Sequence, residues 1–387
     1  MKKIVIAPDS FKGNLTSLEV ANCLEKGIKR VLPKVKCIKV PMADGGEGTV
    51  QSMVDAANGK FVSKRVKGPA GKLVTAKYGW LAKDKTAVIE MAEASGLPLV
   101  KGREKNPLKT TTYGTGQLII DAINKGAKKI IIGIGGSATN DGGVGMAQAL
   151  GVSFLNARGK EIKELGSGGM IAKVSSIDIQ GIDPRIAKTN IVVACDVENP
   201  LFGKKGASHV FGPQKGANPK MVLQLDENLK SLSKLIKRDL KQDVGRMPGA
   251  GAAGGLGAGL VAFAGASLES GISIVVKATN LAKYIKGADL VLTGEGRVDF
   301  QTAFGKTPSG VAKVAKAHKV PVVAIGGALS DDARQVFEHG IDGIESAAAK
   351  DMTFEMAIKN SKQDLANAAE RVIRMILIGK GMIIKTK

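Results

Sequence analysis

The chain has 387 residues, 50 of them glycine, and carries 57 Lys and Arg against 35 Asp and Glu for a net charge of +22. That length suggests two domains or one with a large insertion, and aromatic residues at 4% argue against an extended stacking surface for single-stranded nucleic acid. The lysines are scattered with no dense basic arm, so the charge favours acidic substrates over a nucleic-acid partner.

Three isolated cysteines (Cys23, Cys37, Cys195) and three histidines give neither a disulfide framework nor a His- or Cys-based metal cluster. The opening MKKIVIAPDS is cut by Pro8 and Asp9, too early for a signal peptide. No apolar run reaches the 18 or more residues of a membrane span, so a cytoplasmic location is expected.

Taken in order, Lys3 to Ala7 reads as a first strand, and Thr16-Ser17-Leu18-Glu19 has the spacing of a capping box opening a helix to about Leu32. Val35 to Val40 is a second strand. Each strand ends in a polar turn, APDSFKG (7–13) and PMADGGEGT (41–49), the second leading into a helix to about Ala57. Polar turns at the carboxyl ends of neighbouring parallel strands are where open α/β sheets bind ligands. From Phe61 to Met91, Gly/Pro-broken stretches predict antiparallel hairpins.

A helix from about Tyr113 to Asn124 precedes the stretch on which the reading turns, KKIIIGIGGSATNDGGVGMAQALG. Ile130, Ile131, Ile132 and Ile134 make a buried strand, and six glycines fall between Gly133 and Gly145 before a small-residue helix. Ordering that many glycines is entropically costly. Such a turn fits a close approach of bare backbone N–H groups to an anion, with phosphate the leading candidate.

Asn190 to Ala194 is another buried strand, ending in CDVENPLFG. Val222, Leu225, Leu229, Leu232 and Ile236 recur at helical spacing, and residues 248–263 read as a Gly/Ala-rich helix packed closely on a neighbour. Strand and helix then alternate again: Ala288–Thr293, Ser309–Ala317, Val320–Ile325, Asp331–Glu338 and a long helix from Phe354 to Ile378. The expected architecture is α/β with two domains. A discontinuous Rossmann-like parallel-sheet domain takes residues 1–62 and 286–387, a mixed α/β domain takes 63–285, and the active site is expected in the cleft between them.

Two motifs are decoys. Gly133 to Ala138 fits the G-x-G-x-x-A dinucleotide pattern but has no clear acidic residue at the end of a following strand. Gly305-Lys306-Thr307 imitates the end of a P-loop, with Phe300 where its first glycine belongs. More informative is the gathering of Asp9, Ser10, Lys12, Asp44, Glu47, Ser137, Asn140, Asp141, Asp196, Gln214, Lys215, Glu295 and Arg297 in turns, mostly just after strands. Any one could be a turn or cap residue, Asp141 as a cap for the helix after it, for example. Carboxylates for magnesium, cations for phosphate and glycine-cradled amides together describe phosphoryl transfer.

The turns at 7–13, 41–49, 133–151, 195–201, 211–217, 249–260 and 292–308, in that order, closely resemble the class I glycerate kinase family. The resemblance implies ATP-dependent phosphorylation of D-glycerate with a divalent cation, Mg²⁺, and a product of 2-phosphoglycerate in preference to 3-phosphoglycerate. On this reading Gly45, Gly46, Gly135, Gly136, Ser137, Asn140, Gln214, Lys215, Gly294, Glu295, Gly296 and Ser10 bind substrate or nucleotide. Lys12 and Arg297 neutralise the glycerate carboxylate or the migrating phosphoryl group, Arg offering a bidentate fork. Asp44, Asp141 and Asp196 are candidate metal contacts, and Asp9 or Asp196 accepts the hydroxyl proton. The expected partner is a small-molecule substrate, with no nucleic acid and no membrane; homo-oligomerisation stays open. The competing readings are a nicotinamide-dependent oxidoreductase on the Gly133 pattern and a basic nucleic-acid-binding protein.

Overall fold

A computed structural model describes residues 1–46, 48–348 and 351–381. Glu47 and the basic tail beyond residue 381 therefore lie outside the described residues. Among the described residues there are thirteen strands: β1 (Lys3–Ile6), β2 (Lys36–Lys39), β3 (Lys60–Lys67), β4 (Leu73–Leu81), β5 (Thr86–Glu90), β6 (Lys129–Gly133), β7 (Ser153–Leu155), β8 (Ser176–Asp178), β9 (Asn190–Ala194), β10 (Ser267–Glu269), β11 (Leu290–Val298), β12 (Val322–Leu329) and β13 (Gly343–Ser346). The chain divides into two compact units. One comprises residues 1–44, 51–58 and 272–387, the other residues 45–50 and 59–271.

The first unit is built on a five-stranded sheet in the order β13-β12-β11-β1-β2, parallel throughout. The chain leaves β1 for β2 on one side, and β11 closes on the other, so the strand order reverses between β1 and β11. Parallel α/β sheets bind ligands at such a switch point, outside the carboxyl ends of the strands. Ile4, Ile6, Leu290 and Leu292 are fully or almost fully buried there. They share a core with Val20, Leu24 and Ile28 of the helix Ser17–Val31 and with Leu365 and Ile373 of the helix Phe354–Gly379. The capping box forms as its spacing predicts: Thr16 Oγ1 accepts from Glu19 N, and Thr16 N donates to Glu19 Oε2 at 3.0 Å.

The second unit carries a six-stranded sheet, β10-β9-β6-β5-β4-β3. Its β10, β9, β6 and β5 are mutually parallel, while β4 and β3 turn back as antiparallel hairpins. The isoleucine run of β6 is central and buried on both faces, as continuous apolar strands in helix-covered sheets are. The helix Pro219–Leu240 starts with Asn218 Oδ1 accepting from Met221 N at 2.9 Å and buries Val222, Leu225, Leu229, Leu232 and Ile236.

Several elements differ from the sequence expectation. Residues 294–297 are not a turn but the continuation of β11, paired through Glu295 and Arg297 with Gly326 and Ala328 of β12. Backbone of Ile325 lies where a side chain on Gly294 would project, so this glycine permits close strand approach. The Gly/Ala-rich helix Ala252–Ala264 is also irregular at its start. Ala253, Gly254 and Gly255 take left-handed φ values of 53°, 71° and 90° before regular helix resumes. Residues Ala333–His339 form a 3-10 helix, and the β7–β8 hairpin had no clear sequence signal.

Candidate active site

In the first unit, the turn after β1 is tied to β11 by Asp9 N donating to Gly294 O at 2.8 Å. The Asp9 side chain is buried, only 4% exposed. Its Oδ1 accepts from Ser10 N at 2.6 Å, and its Oδ2 accepts from Thr307 Oγ1 at 2.6 Å, at the start of the helix Thr307–Ala317. Burial, and next the negative charge of Asp44, push the Asp9 carboxyl up to about 6. Lys12 Nζ stands 3.6 Å from Asp44 Oδ2, and Lys12 is largely exposed. Asp9, Lys12 and Asp44 thus cluster at the switch point of the sheet.

Glu295 and Lys306 extend this group. Lys306 Nζ lies 3.5 Å from both Glu295 Oε2 and Asp299 Oδ1, so it bridges two carboxylates. Glu295 Oε1 is buried without a hydrogen-bond partner, and burial raises the proton affinity of that carboxyl. Arg297 is exposed, its Nε donating to Ser330 Oγ at 2.9 Å. Gly296, beside it on β11, is exposed as well.

In the second unit, a cavity of about 250 Å³ opens at the carboxyl ends of β6 and β9. Gly45, Gly46, Gly135, Gly136, Ser137, Asp196, Gln214 and Lys215, all expected from sequence, line it together. Among the described residues, the amides of Gly135 and Gly136 have no hydrogen-bond partner. Lys215 is buried, 1% exposed, and its Nζ donates to Ser137 Oγ and Thr139 O, each at 2.6 Å. An ammonium has three donors. With no carboxylate in direct contact, burial pulls the Lys215 amine down to about 7, the more distant charge of Asp141 opposing the shift. Asp196 is exposed at the rim, with Oδ1 accepting from Gly271 N at 3.0 Å. Gly45 has a φ of 94°, and a side chain on it would run into Gly271 and Ala194, so only glycine fits this edge of the cavity.

Asp141, expected among the metal contacts, is placed otherwise. It is fully buried, and its Oδ2 accepts from Thr112 N at 2.8 Å, Thr112 Oγ1 at 2.7 Å and Gly145 N at 3.3 Å, while Oδ1 accepts from Gly143 N at 3.1 Å. This carboxylate anchors the start of the helix Val144–Leu150, with both oxygens turned to these donors. Asn140 is equally buried, Nδ2 donating to Ser208 Oγ at 3.0 Å, with Oδ1 unpartnered. Thr307, Thr112 and Ser208 are partners that sequence reasoning missed. Hydroxyls carry no signal of their own until the fold supplies the carboxylate or amide they meet. The dinucleotide pattern at Gly133 also fails physically: no helix opens within it, since the helix begins only at Val144.

Residues 4–377 match the sequence model of the glycerate kinase family. The chain belongs to the glycerate kinase family. Curated relatives agree. A glycerate kinase of Halalkalibacterium halodurans is 52% identical over 96% of this chain and 97% of its own. Glycerate 2-kinase of Escherichia coli is 49% identical over 97% and 98%. A crystal structure from Salmonella typhimurium LT2, provisionally named glycerate kinase 2, superposes with a TM-score of 0.90 at 48% identity, covering 98% of this chain and all of that one. As a member of the glycerate kinase family the chain is a kinase, with a small molecule as its substrate. No helix among the described residues is long and apolar enough to cross a membrane.

Proposed function

We propose that the chain transfers the γ-phosphoryl group of ATP to a hydroxyl of D-glycerate, giving 2-phosphoglycerate in preference to the 3-phospho isomer. The observation that carries this reading is Asp9, a buried carboxyl with a proton affinity near pH 6 beside Asp44 and Lys12 at the sheet's switch point. A general base works best when its proton affinity lies near the operating pH. The glycerate hydroxyl oxygen forms a bond to the γ-phosphorus, the bond from that phosphorus to the bridging oxygen of ADP breaks, and the hydroxyl proton passes to Asp9. Asp196, the alternative base, is exposed and supports metal or phosphate contact better.

Lys12 and Arg297 serve the glycerate carboxylate or the migrating group, positioning being most of what such a loose transition state asks of a protein. Lys215, Ser137 and the amides of Gly135 and Gly136 receive nucleotide phosphate. Mg²⁺ arriving with ATP needs only one or two carboxylates, because it keeps waters and phosphate oxygens as ligands. Asp44 in the first unit and Asp196 in the second are each a candidate carboxylate for it, and no group of three or more His, Cys, Asp or Glu is poised for a resident metal among the described residues. When bound, the cation would neutralise phosphate charge. The proposed location is cytoplasmic.

An ADP-release assay with D-glycerate, coupled through enolase without mutase, tests the reading. A coupled signal reports 2-phosphoglycerate. ADP release without it reassigns the product to the 3-phospho isomer, and no ADP release at all overturns the reading.

A further inference from the structure

The anion-receiving cavity of the second unit has a neighbour. A larger chamber of about 540 Å³ shares Gly45, Gly46, Gly135 and Gly136 with it and continues past them. The two are therefore compartments of one groove, separated by a strip of four glycines. Their linings differ in character. On one side stand Lys215 and Ser137. On the other stand Pro98 and Leu99 of the 3-10 turn Leu97–Leu99, with Glu90 and Glu93.

The chamber is unsuited to a small organic acid, since two carboxylates repel an anion. It suits a neutral, hydroxyl-rich group with an apolar face. Carboxylates are good acceptors for ribose hydroxyls, as in dinucleotide sites, and an apolar wall accepts a base. Glu93 Oε2 accepts from Lys77 N at 3.1 Å, which ties the side chain to β4 by one of its two carboxylate oxygens. The loop carrying the glycines is pinned on the same side: Leu97 N donates to Gly136 O at 2.9 Å and Ala138 N to Ser95 O at 2.9 Å. Glycine strip and apolar wall are thus joined by backbone hydrogen bonds.

We infer that this chamber is the nucleoside subsite of the kinase: ribose hydroxyls on Glu93, base against Pro98 and Leu99, and the triphosphate crossing the glycine strip to Ser137 and Lys215. The inference rests on the kinase reading above and adds where the nucleotide lies and what selects it.

Isothermal titration of the full-length protein with a non-hydrolysable ATP analogue, its 2′,3′-dideoxy form and inorganic tripolyphosphate tests it. Thr75 lines the chamber from an exposed position on β4, so Thr75→Trp fills the space without entering the core. That variant should bind the ATP analogue roughly tenfold more weakly, with tripolyphosphate binding unchanged. Removing the ribose hydroxyls should weaken binding to the parent protein by about tenfold, the worth of one charge-assisted hydrogen bond, and that difference should vanish in Glu93→Ala. Parent-like affinities in both variants, or no effect of the ribose hydroxyls, overturn the subsite while leaving the kinase intact if ADP release persists. Equal losses of tripolyphosphate and ATP analogue in Thr75→Trp also overturn it. A parent protein that neither binds the analogue nor releases ADP removes both readings.

Discussion

Lys215 Nζ lies 2.6 Å from Ser137 Oγ, and no carboxylate touches this buried amine. Its proton affinity, pulled down to about 7, sits below the 10.5 of an exposed lysine. On the proposed reading, an arriving phosphate would supply the missing negative charge and restore the proton. Tripolyphosphate binding near pH 8 should therefore take up close to one proton, read from titrations in buffers of different ionisation enthalpy. No buffer dependence would remove Lys215 from the anion site.

The same amine bears on stability. The unfolded chain holds this proton up to about 10.5 and the native one only to about 7, so its contribution to stability falls as pH drops through that window. Lys215→Met should raise the melting temperature at pH 7 and flatten its pH dependence between 7 and 10. It should also abolish tripolyphosphate binding.

Asp9 gives an acidic limb. On the proposed mechanism its ionised form is the base, so kcat/KM should fall about tenfold per pH unit below about 6. Asp9→Asn should lower turnover by roughly a hundredfold or more. Because the native carboxyl is raised from 3.8 to about 6, its stabilising protonated form is fully present below 3.8 and lost as pH rises through 6. The Asn variant should consequently be no less heat-stable than the parent at pH 8. A clear loss of stability there would mark Asp9 as structural.

Asp141 separates a cap from a metal ligand. Asp141→Ala leaves Thr112 N, Gly143 N and Gly145 N without their buried acceptor. The expected cost is about 3–5 kcal/mol by thermal or urea unfolding. The magnesium titration of the folded fraction should be unchanged; a shifted metal midpoint would return Asp141 to the ligand set.

Ala253 is the non-glycine member of a left-handed run, with a φ of 53°. That conformation costs an L-residue about 1–2 kcal/mol, partly offset in glycine by its freer unfolded chain. Ala253→Gly should leave stability unchanged or raise it by up to about 1 kcal/mol. A loss of more than about 1 kcal/mol would mean that the packing of the Ala253 methyl on the core outweighs the strain.

Much of this was legible in the sequence because period and punctuation act locally. The Thr16–Glu19 box, the isoleucines of β6 and the 222–236 stripe each specify their element within a few residues. That the polar turns after β6 and β9 would line one cavity was legible too. What could not be read depended on distant partners. Nothing near Lys215 reveals that it is buried, since Ser137 and Thr139 lie more than seventy residues away in sequence. Asp141 reads in the sequence as a ligand or as a helix cap alike, and it takes the distant Thr112, beside Gly143 N and Gly145 N, to make it a buried anchor. Gly294 and Gly296 look like a turn until Gly326 and Ala328 supply the strand beside them.

The pairing of β1 with β11 joins Ile4 to Leu290. During synthesis, the first strand emerges from the ribosome long before its neighbour exists, whereas β3 to β10 are all made in the interval. Residues 59–271 can thus begin to organise while the amino terminus still waits, and Asp9 acquires its surroundings among the last events of biogenesis. A chain truncated before β11 would carry the glycine-lined cavity without ever enclosing Asp9.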